Sequence, residues 1–427
     1  MRNSISNKHP TTSVGIVLFL GLFWLPAPGS VAPDYFMPAR SQATISTFIP
    51  SPDKVAINSE NSDPDALLIA VYAALSASRL KEAQEKADKL VRLFPNFRLG
   101  HLIRGDLLTM HAGAVRSFGA AKNASADKIN DLREEAITRL NAMHKRPDLD
   151  LMPRSVLQLM DQQKNVLVVD TENSRLYVYE NQGEQLKLRA DYYISQGKLG
   201  INKTREGDHK TPIGVYYITS HLDKSRLPDF YGAGALPINY PNEWDKINGR
   251  NGSGIWLHGT PFDSYSRPPL ASDGCLVLTN QDIQKLFSSV QIGKTPVIIS
   301  SHAEFISRAK WQSERDSAIK MTEKWRNDAA SMDSVRLSTN YSKKFKSNLG
   351  DDLEAWLAKN QGSSRSSAGE ISKLRDMTLF RYPGQDELIV STFTQDMQIG
   401  KVSKSIRKRQ YWSKEEHQWK IIYEANI

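Results

Sequence analysis

From Asp63 onward, apolar residues return at the spacing of a helix. Leu67, Leu68, Val71, Ala74 and Leu75 form one stripe, and Ala83, Ala87, Leu90, Val91 and Phe94 form a second. Recurrence every three or four positions predicts two amphipathic helices. Pro95 ends the second, because proline has no amide hydrogen and its ring clashes with the preceding turn. The pair is compatible with one tetratricopeptide-type hairpin and equally with a plain helical bundle. Helical spacing continues, with a break, to about Leu159, so residues 64–162 are assigned as a helical region.

At Asn165 the period changes. Val166-Leu167-Val168-Val169 and Arg175-Leu176-Tyr177-Val178-Tyr179 read as two strands joined by a polar turn. Strand-like runs recur at 189–194, 214–218, 255–258, 275–278 and 296–300, with one helix over Asp282–Val290. Residues 165–301 therefore form a β-rich domain. An amphipathic helix is expected over Ala303–Ser331 and another over Leu349–Lys359. Four strands follow, over 371–382, 387–397, 402–412 and 418–425. Long helices followed by an antiparallel meander predict an α+β roll over 303–427. The whole is a multidomain α+β chain.

The first residues differ from both patterns. Arg2 and Lys8 precede an apolar run, Val14–Leu25, and a tail of small residues ending at Ala32. This order fits a secretory signal, cleaved or kept as an anchor, over 1–32. Residues 33–63 are rich in Pro, Ser and Asn and read as a linker. The expected location is the periplasm or cell envelope.

Composition adds a constraint on partners. The 427 residues carry a net charge of +9, a hydrophobic share of 40% and a charged share of 24%. That surface favours polyanions. No zinc-finger spacing or aromatic RNA-binding signature accompanies the charge, so nucleic acid is excluded as the expected partner. The histidines are scattered, there is no His-Glu-x-x-His, and no glycine-rich phosphate loop appears. Neither metal nor cofactor is expected.

Cys275 is the only cysteine. In an oxidising compartment a lone thiol has no internal partner and is open to oxidation. It lies in Ser272-Asp273-Gly274-Cys275, before the buried run Leu276-Val277-Leu278 and after Trp256-Leu257-His258-Gly259. A cysteine nucleophile needs a base or cation nearby, and His258 is the best placed in sequence. Gly274 and Gly259 leave backbone open beside the two side chains.

His-Gly followed by Ser-x-Gly-Cys resembles the catalytic signature of the L,D-transpeptidase (YkuD) family. The upstream run Lys210-Thr211-Pro212-Ile213-Gly214 resembles a second family feature, a Thr-Pro-x-Gly turn leading into a strand. Two departures stand out: Asp273 replaces the usual His, and Val277 replaces the usual Arg. These spellings resemble a divergent branch that includes cell-shape L,D-carboxypeptidases. In some of those, a nuclear-transport-factor-like (cystatin-type) domain follows the catalytic one, similar to the roll expected here.

The resemblance implies Cys275 as nucleophile, His258 as general acid/base, the Gly259 carbonyl as its orienting group and backbone N–H groups around Gly274 as oxyanion donors. The implied substrate is a peptidoglycan tetrapeptide stem, attacked at meso-diaminopimelate with loss of D-alanine. Transfer to an amine is the expected outcome, with hydrolysis to a tripeptide as the alternative. A non-catalytic peptidoglycan-binding module is the alternative of another class. Ser272, Asp273, Tyr231, Trp244 and Arg267 are expected to wall or serve the cleft, Arg267 as a replacement for the cation missing at Val277. Lys401, Lys404, Arg407, Lys408 and Arg409 suggest anionic envelope polymers or envelope proteins as partners of the last domain, against a plain solvated strand face.

Overall fold

Helix α1 (Pro64–Ser76) starts where local chemistry favours a start: Pro64 needs no amide partner, and the Asp63 carboxylate accepts the Asp65 N–H at 3.0 Å. It packs with α2 (Leu80–Leu93), α3 (Arg98–Ala112) and α4 (Ala126–His144) around Leu68, Val71, Ala83, Leu90, Phe97 and Ile103. The structure, a computed structural model, describes residues 63–113, 118–119, 125–331, 333–364, 371–385, 387–399 and 402–427. The expected signal over 1–32 and all of the linker but Asp63 lie outside them. No helix of the described residues is long and apolar enough to cross a membrane.

The helical pattern does not run to Leu159. After His144 the chain forms β1 (Met152–Pro153) and β2 (Val156–Gln158). Val156 and Leu157 are both buried but point into different cores, the period-two behaviour of a strand. With both faces covered, the run looks uniformly apolar and imitates a buried helix.

The central sheet comprises β3 (Asn165–Asp170), β4 (Arg175–Asn181) and β5 (Leu186–Tyr193), then β7 (Gly214–Tyr217) and β13 (Pro296–Ser300). Its order is β5-β4-β3-β13-β7, with β13 parallel to β3 and the other pairs antiparallel. Val166, Val168 and Ile298 face one side, and Leu167, Val169, Val297 and Ile299 face the other. Against the second face lies a smaller sheet of order β12-β10-β9-β8. It consists of β8 (Leu222–Asp223), β9 (Gly234–Pro237), β10 (Trp256–His258) and β12 (Leu276–Val277), with α6 (Asn280–Ser289) beside it. The short strands β6 (Gln196–Gly197) and β11 (Leu270–Ser272) pair in parallel nearby.

Past β14 (Phe305–Ile306), which pairs with β1, come α7 (Arg308–Ala330), α8 (Ser334–Ser338), β15 (Tyr341–Ser347) and α9 (Leu353–Ser364). The strands β16 (Ile371–Arg381), β17 (Leu388–Ile399), β18 (Val402–Glu415) and β19 (Gln418–Asn426) complete a six-stranded sheet of order β15-β19-β18-β17-β16-β2. The four-strand meander stands as expected. Strand β15 replaces part of the loop expected before the second helix. Its three lysines hide a strand that buries Tyr341 and Phe345 and lies parallel to β19. One face of this sheet packs on Trp325 of α7, and the other meets the first face of the central sheet through Phe380, Tyr382 and Tyr411. Its basic run is only partly free for polyanions. Lys408 bonds Glu424 at 2.8 Å, and Arg409 grips Glu243 at 2.8 and 2.9 Å, so both serve packing. Lys404 is exposed, and Lys401 lies outside the described residues.

A chain of buried ions joins the helices to the central sheet. Asp65 accepts from Arg139 and from Arg175, both at 2.6 Å. Arg139 also pairs with Glu135 at 2.9 Å, Arg175 with Asp191 at 2.6 Å, and Arg146 with Asp191. Removing one member leaves charges in a dry interior without a counterion. Asp65→Ala is therefore expected to cost about 3–5 kcal/mol of stability, read from the shift of the urea unfolding midpoint. A midpoint equal to wild type would show that the chain contributes nothing net.

Candidate active site

His258 ends β10 and Cys275 immediately precedes β12, and these two strands lie parallel with His258 opposite Val277. Cys275 thus falls beside Trp256, two positions from His258 along the paired strands, so the register places both side chains on one face of the small sheet. The Tyr231 ring stands 5.0 Å from the imidazole, edge to face, and also feels the charge of Cys275. Arg267 likewise neighbours both groups electrostatically. The expected pair is thus brought together, with Tyr231 and Arg267 around it.

His258 is almost wholly buried, and its Nδ1 lies 2.7 Å from the Gly259 carbonyl oxygen. A carbonyl can only accept, so Nδ1 carries the proton and Nε2 is left as the base. Burial pushes the imidazole down to about 4, against the Gly259 hydrogen bond and with help from Arg267. Burial also pushes the Cys275 thiol up to about 11, opposed by the Trp256 N–H and by Arg267. The sulfur sits 3.3 Å from the Gly254 carbonyl oxygen, to which its S–H donates. The resting pair at neutral pH is a thiol beside a neutral imidazole, not a preformed ion pair.

The nucleophile turn is held from below. Thr211 donates from Oγ1 to the Gly274 carbonyl at 2.9 Å and accepts the Gly197 N–H at 3.0 Å. This gives the Thr-Pro-x-Gly motif a physical role that its sequence alone did not disclose. Gly274 has φ +125°, and a Cβ there would meet the Lys210 carbonyl oxygen at 2.6 Å, so only glycine fits. Ser272 lies within the turn, not against a substrate. Its Oγ donates to the Cys275 carbonyl at 2.6 Å and accepts the Gly274 N–H at 3.1 Å. That second bond corrects the expected oxyanion role of Gly274, because its donor is already taken.

Asp273 does not reach His258. It is exposed and pairs with Lys198 at 2.9 Å and His209 at 2.8 Å, and the Lys198 ammonium holds its carboxyl below the usual range. Trp244 is also absent from the cleft. It sits on α5 (Glu243–Ile247) and stacks on Tyr411 at 4.9 Å and 13°, sealing the contact with the C-terminal sheet. An aromatic near catalytic residues in sequence was read as a cleft wall, but the far face of the domain needed it more. Asn280, which sequence reasoning missed, ties the His258 loop. It donates to the Thr260 carbonyl at 2.8 Å and accepts the Ala233 N–H at 2.8 Å. Gly232 and Gly259 were its only trace, since a Cβ at either would strike its Oδ1.

Val277, opposite His258 in β12, is buried and hydrogen-bonded both ways with Ser195, and it brings no cation to that face. Arg267 arrives instead from the loop between β10 and β11. Its guanidinium lies 4.4 Å over the Phe230 ring, which itself stands 5.7 Å from the His258 ring. Burial lowers its pKa, while Cys275 and Asp273 pull it back up. Among the described residues, no cluster of His, Cys, Asp and Glu could hold a metal ion.

Comparison with known proteins gives the class of the domain that carries this constellation. Residues 164–299 match YkuD, the L,D-transpeptidase catalytic domain, and residues 317–425 match the Cds6 C-terminal NTF2-like domain. The chain carries a YkuD-type L,D-transpeptidase domain followed by an NTF2-like domain. It is 32% identical over 120 residues to the Escherichia coli K12 protein described as "Putative L,D-transpeptidase YafK", a match spanning 28% of this chain and 44% of that protein. Among solved structures, Bd1075 of Bdellovibrio bacteriovorus is similar with a TM-score of 0.58 and 29% identity, covering 65% of this chain and 98% of that one. The helical cell shape determining protein Pgp2 of Campylobacter jejuni shares the fold, with a TM-score of 0.53, 23% identity, and 64% and 95% of the two chains covered.

The neutral state of the pair has a direct readout. Alkylation of Cys275 by iodoacetamide is expected to quicken with pH through the neutral range towards about 11, without a plateau. A thiolate–imidazolium pair would instead give a flat rate over about pH 5–8. Folding also depresses the imidazole, so the unfolded chain takes up that proton first. Stability falls as pH drops from 6.5 towards about 4.

Proposed function

We propose that the protein transfers acyl groups on peptidoglycan stem peptides through a thioester on Cys275, remodelling the wall and thereby cell shape, after export to the periplasm or cell envelope. The observation that carries this reading is the His258 Nδ1 contact to the Gly259 carbonyl at 2.7 Å, which leaves Nε2 unprotonated on the side of the sheet where Cys275 lies. The YkuD match over 164–299 supports the substrate class.

In the first step, Nε2 takes the thiol proton as sulfur attacks the carbonyl of the meso-diaminopimelate residue in a tetrapeptide stem. General-base transfer during attack suits a thiol that burial has made a weak acid. Negative charge moves to the carbonyl oxygen, for which the Cys275 N–H is the backbone donor this reading assigns. The intermediate collapses, the proton on Nε2 passes to the departing amine of D-alanine, and the thioester remains. In the second step an amine of another stem attacks the thioester, gives its proton to Nε2, and the thiol is restored. Arg267 supplies a cation beside the thioester for a carboxylate of either peptide. It restores the hold on an acceptor that the loss of arginine at 277 would have removed, which favours an amine over water.

The test uses purified tetrapeptide muropeptides, with products resolved by mass. Wild-type protein is expected to give 3–3 cross-linked dimers. Cys275→Ala should give none while remaining folded. His258→Ala should lose about 10²–10⁴ in rate. Tripeptide and D-alanine alone, even at high acceptor concentration, would reject the transferase in favour of a carboxypeptidase. Near-native turnover by either variant would overturn the mechanism. No reaction of wild type with any stem peptide would leave a binding module.

A further inference from the structure

The loop between β10 and β11 bears Arg267, and its grips are unusual in where they come from. Its two ends belong to the catalytic domain: Thr260 is tied by Asn280, and Leu270 joins β11. Its middle is held by the N-terminal helices. Asn96, between α2 and α3, donates to the Phe262 carbonyl at 2.9 Å. The Tyr265 ring is inserted between Phe94 and Phe97, 5.1 Å from each. Ser266 donates to Glu135 of α4 at 2.7 Å.

Glu135 is the end of the buried ion chain, so the loop is fastened to the same framework that locks the helices to the sheet. Arg139 of that chain lies 3.7 Å over the Tyr193 ring, and the Tyr193 hydroxyl donates to the Arg267 carbonyl at 3.0 Å. The Arg267 carbonyl and the preceding Ser266 side chain are therefore held by side chains at least 74 positions away in sequence. A loop with three prolines needs little further stiffening for stability alone. What this fastening determines is where Arg267 stands relative to Cys275.

We propose that the N-terminal helices are a working part of the active site: through Tyr265, Ser266 and Asn96 they position Arg267, whose guanidinium lies over Phe230 beside His258, to receive a carboxylate of the substrate in the cleft of Cys275. Tyr265, Ser266 and Asn96 are positioning residues, and Arg267 is the group that touches the ligand. The proposal rests on the acyl-transfer reading for the identity of that ligand, a peptide bearing a free carboxylate. The positioning itself needs no peptidoglycan to be measured.

Because the chain has a single cysteine, alkylation read by intact mass reports one site. Iodoacetate carries a carboxylate and iodoacetamide does not. The ratio of their rates at Cys275 therefore reports the cation facing the thiol, and the iodoacetamide rate alone reports thiol access. Arg267→Gln is expected to lower the ratio by about threefold or more at low salt. Tyr265→Ala is expected to lower it by a similar factor with the iodoacetamide rate unchanged, and Tyr265→Phe to keep the wild-type ratio. The Asn96→Ala/Ser266→Ala pair gives the same reading without disturbing the apolar contacts, should Tyr265→Ala not fold. With muropeptides, these variants should raise KM more than they lower kcat. A wild-type ratio in Tyr265→Ala and in the double variant, with a lowered ratio in Arg267→Gln, would overturn the role of the helices. An unchanged ratio in Arg267→Gln would overturn the placement of the cation. Absence of turnover on stem peptides, with the ratios behaving as expected, would count against the acyl-transfer reading and leave the positioning intact.

Discussion

The middle strands of the central five-stranded sheet are buried on both faces. Val166, Val168 and Ile298 press into the core shared with the C-terminal sheet, while Leu167, Val169 and Ile299 press into the core beneath the catalytic strands. A sheet covered on both sides cannot slip its register without turning two cores inside out. The small sheet carrying His258 and Cys275 is laid on one face, and the NTF2-like unit on the other. Catalytic and C-terminal parts therefore share apolar packing rather than meeting through a hydrated interface of the kind that permits relative motion. The third edge of the framework is ionic, where Asp65 binds Arg139 and Arg175 and the helices join the sheet.

That framework sets the chemistry through desolvation. Buried beside Tyr231 and the Gly259 carbonyl, His258 is held neutral with a defined tautomer, and Cys275 is held as a thiol. A neutral pair stores no charge in a dry pocket and separates charge only as substrate arrives. The same desolvation makes the thiol less prone to oxidation, because the thiolate is the reactive form. Charge is supplied from the rim instead, by Arg267 on its loop and by Lys198 with Asp273 and His209 at the mouth.

Much of this was legible in the chain. The continuous runs Val166–Val169 and Pro296–Ile299 are what doubly buried strands require, and the Cys275 and His258 motifs pointed to the family of the domain that carries them. Gly274 and Gly259 read as leaving backbone open; in the fold they are places where a Cβ would strike the Lys210 carbonyl and the Asn280 amide oxygen. What stayed hidden depends on contacts far apart in sequence. Asp65, Arg139, Arg175 and Asp191 look like ordinary surface charges until folding pairs them. Strand β2 resembled the end of a helix because its partners in two cores are supplied by distant residues. Trp244 and Arg409 each carried a plausible binding role, and both are used up in joining the two sheets. Arg267 stood out in its loop, but the contacts that hold that loop come from helices about 130–170 residues earlier in the chain.

The account stands or falls on the covalent intermediate. Rapid mixing of the protein with a tetrapeptide stem, acid quenching and intact-mass analysis should reveal a species heavier by the stem less D-alanine, its added mass mapping to the peptide that contains Cys275 and disappearing on treatment with hydroxylamine, which cleaves thioesters. Full conversion of the stem to product with no cysteine-bound acyl group at any quench time, by a protein whose thiol stays open to alkylation throughout, would contradict it.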